Sequence, residues 1–181
     1  MGIGEKYVHI IKKRFKHVKE QGDKTFEQLA EKDINWAPNE FSNSVAVIVK
    51  HLHGNMLSRW TEFLTTDGEK GNRNRDQEFM DTIESKQEMI HKWTEGWDVL
   101  FAALCELTEK DLKKHVMIRA EPLLVIDAIE RQLAHYSAHV GQIVYIGKQL
   151  KGDKWKNLSI PKGASKEYLQ YMKDKYEGGG G

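Results

Sequence analysis

The chain has 181 residues, enough for one ordinary domain with a real core and too few for two comfortable ones. Its 28 lysines and arginines nearly balance 27 acids, and the formal net charge of +1 excludes strong attraction to nucleic acid or to an acidic membrane. The basic residues are spread along the chain among acids, a pattern typical of solvated helix faces. We also find no apolar run long enough to span a bilayer.

Cysteine usage and the N-terminal residues predict a cytoplasmic protein. The single cysteine, Cys105, cannot form an internal disulfide, and it lies in an apolar run where we expect it to be buried. Residues 1–6 are charged and lack the apolar stretch of a signal peptide. We therefore expect a protein of a reducing compartment with no membrane partner.

Apolar residues recur every three or four positions in four long segments, which predicts four amphipathic helices. The first segment runs from Val8 to Leu29, and the chain then reaches Pro38, which cannot continue a helix. The second begins at residues 42–44, whose serine and asparagine side chains are good N-caps, and its apolar stripe extends to Phe63.

The third helix is predicted from about Phe79 to Leu107. The segment 108–120 is ambiguous between a short turn and an extended stretch. Pro122 suits the first turn of the fourth helix, whose apolar stripe continues to Val144. We see no strong strand pattern, which favours a helical fold.

The C-terminal part of the chain changes in character. Residues 165–176 are predicted to form a short helix, and the four glycines at 178–181 are predicted to be a flexible tail. The expected architecture is an all-α, antiparallel four-helix bundle with a short C-terminal helical extension, in a single domain at 1–177.

The residues that point to function lie in the fourth helix, where His135 and His139 are four positions apart. This spacing places two imidazoles on one helix face, one turn apart, where both reach a single ion. With about 100° of rotation per residue, both lie about 90–130° from the centre of the apolar stripe. Such a flank position is typical of a pocket at the edge of a bundle, so we predict a metal site there.

A catalytic metal site of this type needs a third protein ligand, and the second helix offers two histidines. His51 lies about 130° from the centre of its apolar stripe, the same kind of flank as the pair on the fourth helix. His53 lies about 70° from that centre, where a packed and hydrogen-bonded histidine is the ordinary outcome. We favour His51 and keep His53 as the alternative. The remaining histidines are interpreted as surface residues: His9, His17, His91 and His115.

Several short motifs resemble those of one superfamily. SVAVIVKHL at 44–52 and HYSAHVGQI at 135–143 contain the predicted ligands. GNM at 54–56, FLTTDGEK at 63–70 and LSIPKG at 158–163 resemble one uncharacterised bacterial branch. On these residues, nearly the whole chain resembles the DinB/YfiT-like superfamily.

The resemblance implies a four-helix bundle, often a homodimer, that holds a divalent metal ion with three histidines. One ligand lies on the second helix and two lie on the fourth, which in this chain are His51, His135 and His139. Three imidazoles suit zinc, nickel or iron, and intrinsic affinity does not select among them. We expect a small-molecule substrate, and no nucleic-acid partner because no basic face is evident.

Three functions are left open. Characterised relatives include thiol S-transferases that use low-molecular-weight thiols, so the resemblance favours a bacillithiol-type transferase in which the metal holds a thiolate. The second function is a metal-dependent hydrolase, in which three neutral ligands leave the ion its full charge and acidify a bound water. The third is a non-catalytic stress-response or interaction module with a structural metal, where Trp93 and Trp97 line a dimer face unless they pack in the core.

Two polar residues and one loop are candidates for supporting roles. Arg59 falls near the middle of the apolar stripe of the second helix, where a charge is costly. It either pairs with an acid on a neighbouring helix or binds an anionic substrate group. Gln142 either hydrogen-bonds a ligand or a histidine, or it lies on the surface. Residues 65–76 lack periodicity, and we expect a loop that folds over the pocket.

Overall fold

The computed structural model describes residues 2–177, and the glycine tail predicted at 178–181 lies outside them. The described part of the chain is mostly helical and contains one two-stranded antiparallel sheet. Short 3-10 turns lie at Glu31–Asp33, Asp76–Phe79, Asp111–Lys113 and Gly152–Lys154. The helices are α1 Ile3–Phe26, α2 Val45–Trp60, α3 Lys86–Glu106, α4 Val125–Lys151 and α5 Ser165–Glu177, and the strands are β1 His115–Ile118 and β2 Glu121–Leu124.

Serine caps set the start of α2 and α3. The Ser44 side chain accepts a hydrogen bond from the backbone N–H of Val47, which satisfies one of the free donors in the first turn of α2. This confirms the predicted start of the second helix. Ser85 accepts from the N–H of Glu88 in the same way, so α3 begins at its cap and not at Phe79, which lies in a preceding 3-10 turn.

The prediction of an all-α fold is wrong in one segment, because residues 115–124 form a β-hairpin. Pro122 lies in β2 opposite Met117 and not in the first turn of α4. A two-stranded sheet leaves each strand one free edge, where the missing N–H of a proline is tolerated. Arg119 and Ala120 form the turn with φ of 56° and 61°, without the glycine or asparagine that usually reveals such turns in a sequence.

The four long helices share one apolar interior. α2 packs against α3 and α1 against α4, and smaller contacts join α2 to α4 and α1 to α3. One aromatic ring from each helix reaches the centre, where the Phe15 centroid lies 6.0 Å from that of Trp60, 6.3 Å from that of Trp97 and 6.1 Å from that of Tyr136. Burial of each such side chain contributes roughly 1.5–3 kcal/mol, so this cluster is a major stabilising element.

The exposure of side chains on α3 contradicts one prediction and decides between the two alternatives of another. Cys105 is exposed, because the buried face of α3 passes through Leu100 and Leu104 and the next residue turns about 100° away from it. Trp93 and Trp97 are 2% and 0% exposed, so they pack inside the chain and do not line a dimer face.

The predicted C-terminal helix is present as α5, and it contributes no buried residue. The hydrophobic core is therefore formed by the elements that precede it. Within residues 2–177, no helix combines the length and the apolar character needed to cross a bilayer. The assignment of residues 1–177 to a single domain stays a prediction.

Candidate metal centre

The contact between α2 and α4 brings the three predicted ligands together. His51 lies on α2, and His135 and His139 lie one turn apart on α4. One ring nitrogen from each histidine lies within 4.8 Å of the other two, and Nε2 of His51 is 3.3 Å from Nε2 of His135. The structure thus groups the residues selected from helix positions, and metal binding by them stays a prediction.

His53 points away from this cluster. Its Nε2 lies 2.7 Å from a carboxylate oxygen of Glu95 on α3. Two residues along a helix correspond to about 200° of rotation, so His51 and His53 face opposite sides of α2. His51 is therefore the α2 histidine of the cluster, and His53 is the hydrogen-bonded side chain of the alternative interpretation. The other histidines are exposed, as predicted: His9, His17, His91 and His115.

Hydrogen bonds to the outer ring nitrogens orient two of the histidines. Nδ1 of His51 lies 2.9 Å from Oε2 of Glu78, and the N–H of the imidazole donates because an ionised carboxylate only accepts. Nδ1 of His139 lies 3.0 Å from Oε1 of Gln142, where the N–H again donates. In both rings Nε2 then carries the lone pair, the form in which imidazole binds a metal. Gln142 thus hydrogen-bonds a predicted ligand.

Burial controls protonation at this site. Burial, together with repulsion from His139 and His51, lowers the pKa of His135 to about 3. Burial also lowers the pKa of His139, although the hydrogen bond with Gln142 acts in the opposite direction. Burial acts to raise the pKa of Glu78, but hydrogen bonds from Arg73 and His51 hold it below its usual value. Near neutral pH, His135 and His139 are therefore neutral and able to bind a cation.

The segment between α2 and α3 covers one side of the cluster. Phe79 stacks on the ring of His51, with centroids 4.7 Å apart. Glu78 comes from the same segment and accepts hydrogen bonds of 2.7 and 2.9 Å from Arg73. The loop expected at 65–76 does fold over the site, and its continuation through Phe79 buries His51. This covering explains why a histidine on the flank of its helix is only 3% exposed.

Gly54 makes the approach of Glu78 to α2 possible. A Cβ at Gly54 would clash with the carboxylate of Glu78, and the chain there has room only for a hydrogen. Because Gly54 lies about one turn beyond His51, the space it leaves is where the carboxylate reaches the Nδ1 atom of that histidine.

The three histidines line a cavity of about 300 Å³. This volume is at the lower end of the range for small-molecule sites. Two buried polar atoms in its wall lack a partner within residues 2–177: Nε of Arg59 and Oε1 of Gln132. The other lining residues carry amide, aromatic or guanidinium groups: Asn55, Arg59, Arg73, Arg75, Phe79, Arg119, Arg131 and Gln132.

Arg59 is buried and pairs with Glu69, whose Oε2 accepts two N–H groups at 3.0 Å each. The guanidinium also donates to the backbone carbonyl of Gly68. A salt bridge for Arg59 is predicted from its position, and it is present. Its acid, however, lies in the segment between α2 and α3 and not on a neighbouring helix.

Comparison with known proteins assigns the chain to a family. A family model described as "Protein of unknown function (DUF1572)" matches residues 2–164. The chain belongs to the DUF1572 family. The match includes α1 to α4, the hairpin and all three histidines, and it ends where α5 begins. No curated protein and no solved structure matches the DUF1572 chain.

The arginines of the DUF1572 protein are distributed differently from its lysines. Six of its 28 basic residues are arginines, and five of these six line the cavity beside the histidines. Within the described chain no lysine lines it. The interpretation of the basic residues as solvated is therefore wrong for Arg59 and Arg73, whose side chains are buried, whereas the other three are exposed. The positions of the five follow no helical period, and only the scarcity of arginine relative to lysine sets them apart in the sequence.

Proposed function

We propose that this DUF1572 protein binds a divalent metal ion through His51, His135 and His139 and acts as a metal-dependent thiol S-transferase on small electrophiles. The observation that carries the proposal is the convergence of three histidine ring nitrogens within 4.8 Å in the wall of a cavity. Three imidazoles and an open position toward a cavity form the pattern of a catalytic metal site, whereas a structural site is closed by a fourth protein ligand.

The architecture proposed for the protein is the antiparallel four-helix bundle of the DinB/YfiT-like superfamily. The DUF1572 family is placed in the DinB/YfiT-like clan, in agreement with the motifs at 44–52 and 135–143. Four long helices that each direct one aromatic ring to a common centre support the same arrangement. The position of the ligands on α2 and α4 supports it as well.

The separation of two of the three proposed ligand nitrogens fits a divalent ion. Tetrahedral zinc with bonds of about 2.0–2.1 Å to imidazole separates the ligand nitrogens by roughly 3.3–3.4 Å. The Nε2 atoms of His51 and His135 are 3.3 Å apart. Two lone pairs that face each other at this distance repel unless a cation or a proton lies between them. Zinc, nickel and iron all accept such ligands, so the experiment must identify the ion.

The chain's own residues prepare the site for an anionic nucleophile. When bound, a divalent ion would lower the pKa of a thiol in its remaining position, which favours transfer, or of a water, which favours hydrolysis. Glu78 and Gln142 hold the rings of His51 and His139 through their Nδ1 atoms. The guanidinium groups of the wall add positive potential, which favours the deprotonated nucleophile. Resemblance to thiol transferases is the reason that we place transfer before hydrolysis.

Elemental analysis of the purified protein tests the ligand set. We expect the wild type to carry a stoichiometric amount of metal, and His51→Ala and His135→Ala to lose most of it. His53→Ala is the matched control, because this histidine lies on the same helix but pairs with Glu95. Full metal content in His51→Ala would contradict the proposal.

Turnover assays with metal-loaded protein separate the candidate reactions. A bacillithiol-type thiol and a chlorodinitrobenzene electrophile are supplied together and then singly. Thioether formation that needs the thiol, the metal and His135 supports the transferase. Hydrolysis of an ester or amide without a thiol would show that the protein is a hydrolase and not a transferase. No turnover in either assay, with a metal that resists exchange, would indicate a non-catalytic module.

A homodimer is part of the same proposal, because the resemblance implies one. Phe41 and Tyr145 are 91% and 64% exposed and line one groove beside α4. Exposed apolar surface of this kind is a candidate for coverage by a second copy. Sedimentation velocity at micromolar concentration should give the dimer mass, and a monomer at all concentrations would contradict this part of the proposal.

A further inference from the structure

Five guanidinium groups converge on the cavity beside the histidines from separate parts of the chain. Lysines outnumber arginines in the sequence, yet the basic residues of this cavity are all arginines. Chance placement of basic residues would favour lysine at most of these positions. Arg59 comes from α2, Arg73 and Arg75 from the segment before α3, Arg119 from the hairpin turn and Arg131 from α4.

One carboxylate serves three of these arginines. Oε2 of Glu69 accepts hydrogen bonds from Arg59 at 3.0 Å, from Arg119 at 3.1 Å and from Arg73 at 3.4 Å. Three further carboxylates lie beside the cavity arginines: Glu78 accepts from Arg73, Glu121 accepts from Arg131, and Asp67 accepts from the backbone N–H of Arg119. Five guanidinium groups thus face four carboxylates, which leaves the cavity an excess of one positive charge.

The rim of the cavity adds arginines that are less tightly held. Arg75 forms no ion pair within residues 2–177 and lies over the ring of Phe79, at 5.4 Å from its centroid. Arg131 is 48% exposed and makes one bond of 3.2 Å to the exposed Glu121. Arg119 is 52% exposed and uses its Nε for Glu69. All three rim arginines are exposed, so a ligand at the mouth of the cavity can reach their guanidinium groups.

A strained turn holds Arg119 in place. Arg119 and Ala120 both have positive φ, which costs free energy in residues other than glycine. Their backbone N–H groups donate to the two carboxylate oxygens of Asp67 at 2.9 Å, and this carboxylate comes from the segment over the cavity. The chain thus maintains an unfavourable conformation that places a guanidinium at the rim.

Two buried atoms of the wall need a further group. Gln132 is 5% exposed, and its Oε1 has no hydrogen-bond partner among the described residues. Nε of Arg59, which is 6% exposed, also lacks one. Buried polar groups are nearly always paired in native proteins. The wall therefore has polar atoms suited to a ligand or to water molecules bound beside it.

We propose that the substrate of this site carries a compact anionic group, a carboxylate or a phosphate, which Arg75, Arg119 and Arg131 bind at the rim of the cavity. That this anion is a substrate rests on the proposed function, whereas its binding requires neither metal nor turnover. Arginine is preferred over lysine where planar, bidentate recognition of a carboxylate or phosphate matters. A cavity of about 300 Å³ admits a small molecule beside the histidines and excludes a folded partner.

Isothermal titration calorimetry on the full chain, stripped of metal by a chelator, tests this inference. The probes are inorganic phosphate, succinate and the neutral succinamide. We expect saturable binding of phosphate or succinate and none of succinamide. Arg131→Ala and Arg75→Ala should each weaken binding by about tenfold, the effect of losing a charge-assisted hydrogen bond. Arg14→Ala is the matched control, because Arg14 is exposed on α1 and does not line the cavity.

The outcomes distinguish the ligand and the two proposals. Tighter binding of phosphate assigns a phosphate ester, and tighter binding of succinate assigns a carboxylate. Equal binding of succinamide, equal weakening by Arg14→Ala or no anion binding by folded wild type would overturn the inference. If a duplex oligonucleotide displaces phosphate in the same titration, the ligand of the site is nucleic acid and the small-anion proposal is overturned. Anion binding without metal binding would reject the proposed function alone, and metal binding without anion binding would reject this inference alone.

Discussion

The orientation of His51 depends on a carboxylate that comes from outside the helices. Glu78 accepts the N–H of Nδ1 and is itself held by two bonds from Arg73. A carboxylate in this position fixes the tautomer, holds the ring plane and makes the opposite nitrogen a better electron donor. The tautomer and orientation of a histidine on α2 are thus set by a residue in the segment between α2 and α3.

Replacement of this carboxylate should weaken metal binding without removing a ligand. In Glu78→Gln, an amide oxygen still accepts from His51, but the negative charge is gone. We expect zinc affinity to fall by roughly 10- to 100-fold, measured by competition with a chromophoric chelator.

The matched control is Glu95→Gln, which changes the carboxylate bonded to His53 on the other side of α2. It should leave zinc affinity unchanged. Wild-type affinity in Glu78→Gln, or an equal loss in Glu95→Gln, would show that the carboxylate does not act through His51.

Among the secondary-structure elements, the connections between helices supply as much of the site as the helices do. The segment from α2 to α3 provides Phe79, Glu78 and two arginines, and the hairpin turn provides Arg119. Asp67 joins these two connections through the backbone N–H groups of the hairpin turn. A cavity that helices alone would leave open on one side is covered in this way.

A second connection links the end of α4 to the turn that follows α1. Oδ2 of Asp33 accepts from Nζ of Lys151 at 2.6 Å and from the backbone N–H of Ala30 at 2.8 Å. Burial acts to raise the pKa of Asp33, but these bonds hold it below its usual value. The stabilisation is therefore complete above the unfolded pKa of about 3.9 and is lost as the pH falls through the folded pKa.

Asp33→Asn should therefore destabilise the protein in a pH-dependent manner. We expect the free energy of unfolding in urea to fall by about 1 kcal/mol at pH 7, and the difference from wild type to shrink below about pH 4. Asp98→Asn, at an exposed position on α3, is the control and should change stability by less than about 0.5 kcal/mol. A difference that is the same at both pH values would contradict the assignment.

In the molecule as a whole, the aromatic centre and the histidine site are connected through α4. Tyr136 follows His135 and is 0% exposed. Its hydroxyl accepts from Nε1 of Trp60 at 3.0 Å and donates to Oδ1 of Asn55 at 2.9 Å. Since Asn55 lines the cavity, this buried network joins the core to the site.

Tyr136→Phe should destabilise the whole fold. Loss of the hydroxyl leaves Trp60 and Asn55 without a partner, and we expect the free energy of unfolding to fall by about 2 kcal/mol in urea denaturation. Tyr7→Phe removes a comparable hydroxyl whose bond to Glu130 is exposed, and it should cost less than about 1 kcal/mol. Equal effects of the two changes would contradict a structural role for the buried network.

Metal binding should stabilise the molecule because the proposed ligands lie on two different helices. At a zinc concentration about 100 times its Kd, the expected gain is about 2.7 kcal/mol, or roughly 5–10 °C in Tm for a chain of this size. Differential scanning calorimetry should show this shift in wild type and in His53→Ala but not in His139→Ala. A shift of the same size in His139→Ala would place the ion elsewhere.

The sequence by itself determined most of the helices and selected the three histidines that the fold brings together. Apolar periodicity is a local property, so the positions of α2 and α4 and their buried faces follow from residues a few positions apart. The same rotation argument separated His51 from His53, and the structure agrees with it. It also identified Arg59 as a buried charge that needs a partner.

Only the tertiary structure decided the surroundings of those histidines. Glu78 lies 27 positions from His51, and the cavity arginines come from four separate parts of the chain, so no spacing relates them. The hairpin was hidden because its turn uses Arg119 and Ala120 in a conformation usually given to glycine or asparagine. Contacts of this kind depend on the path of the connections, which repeats no local pattern and is set only when the helices pack.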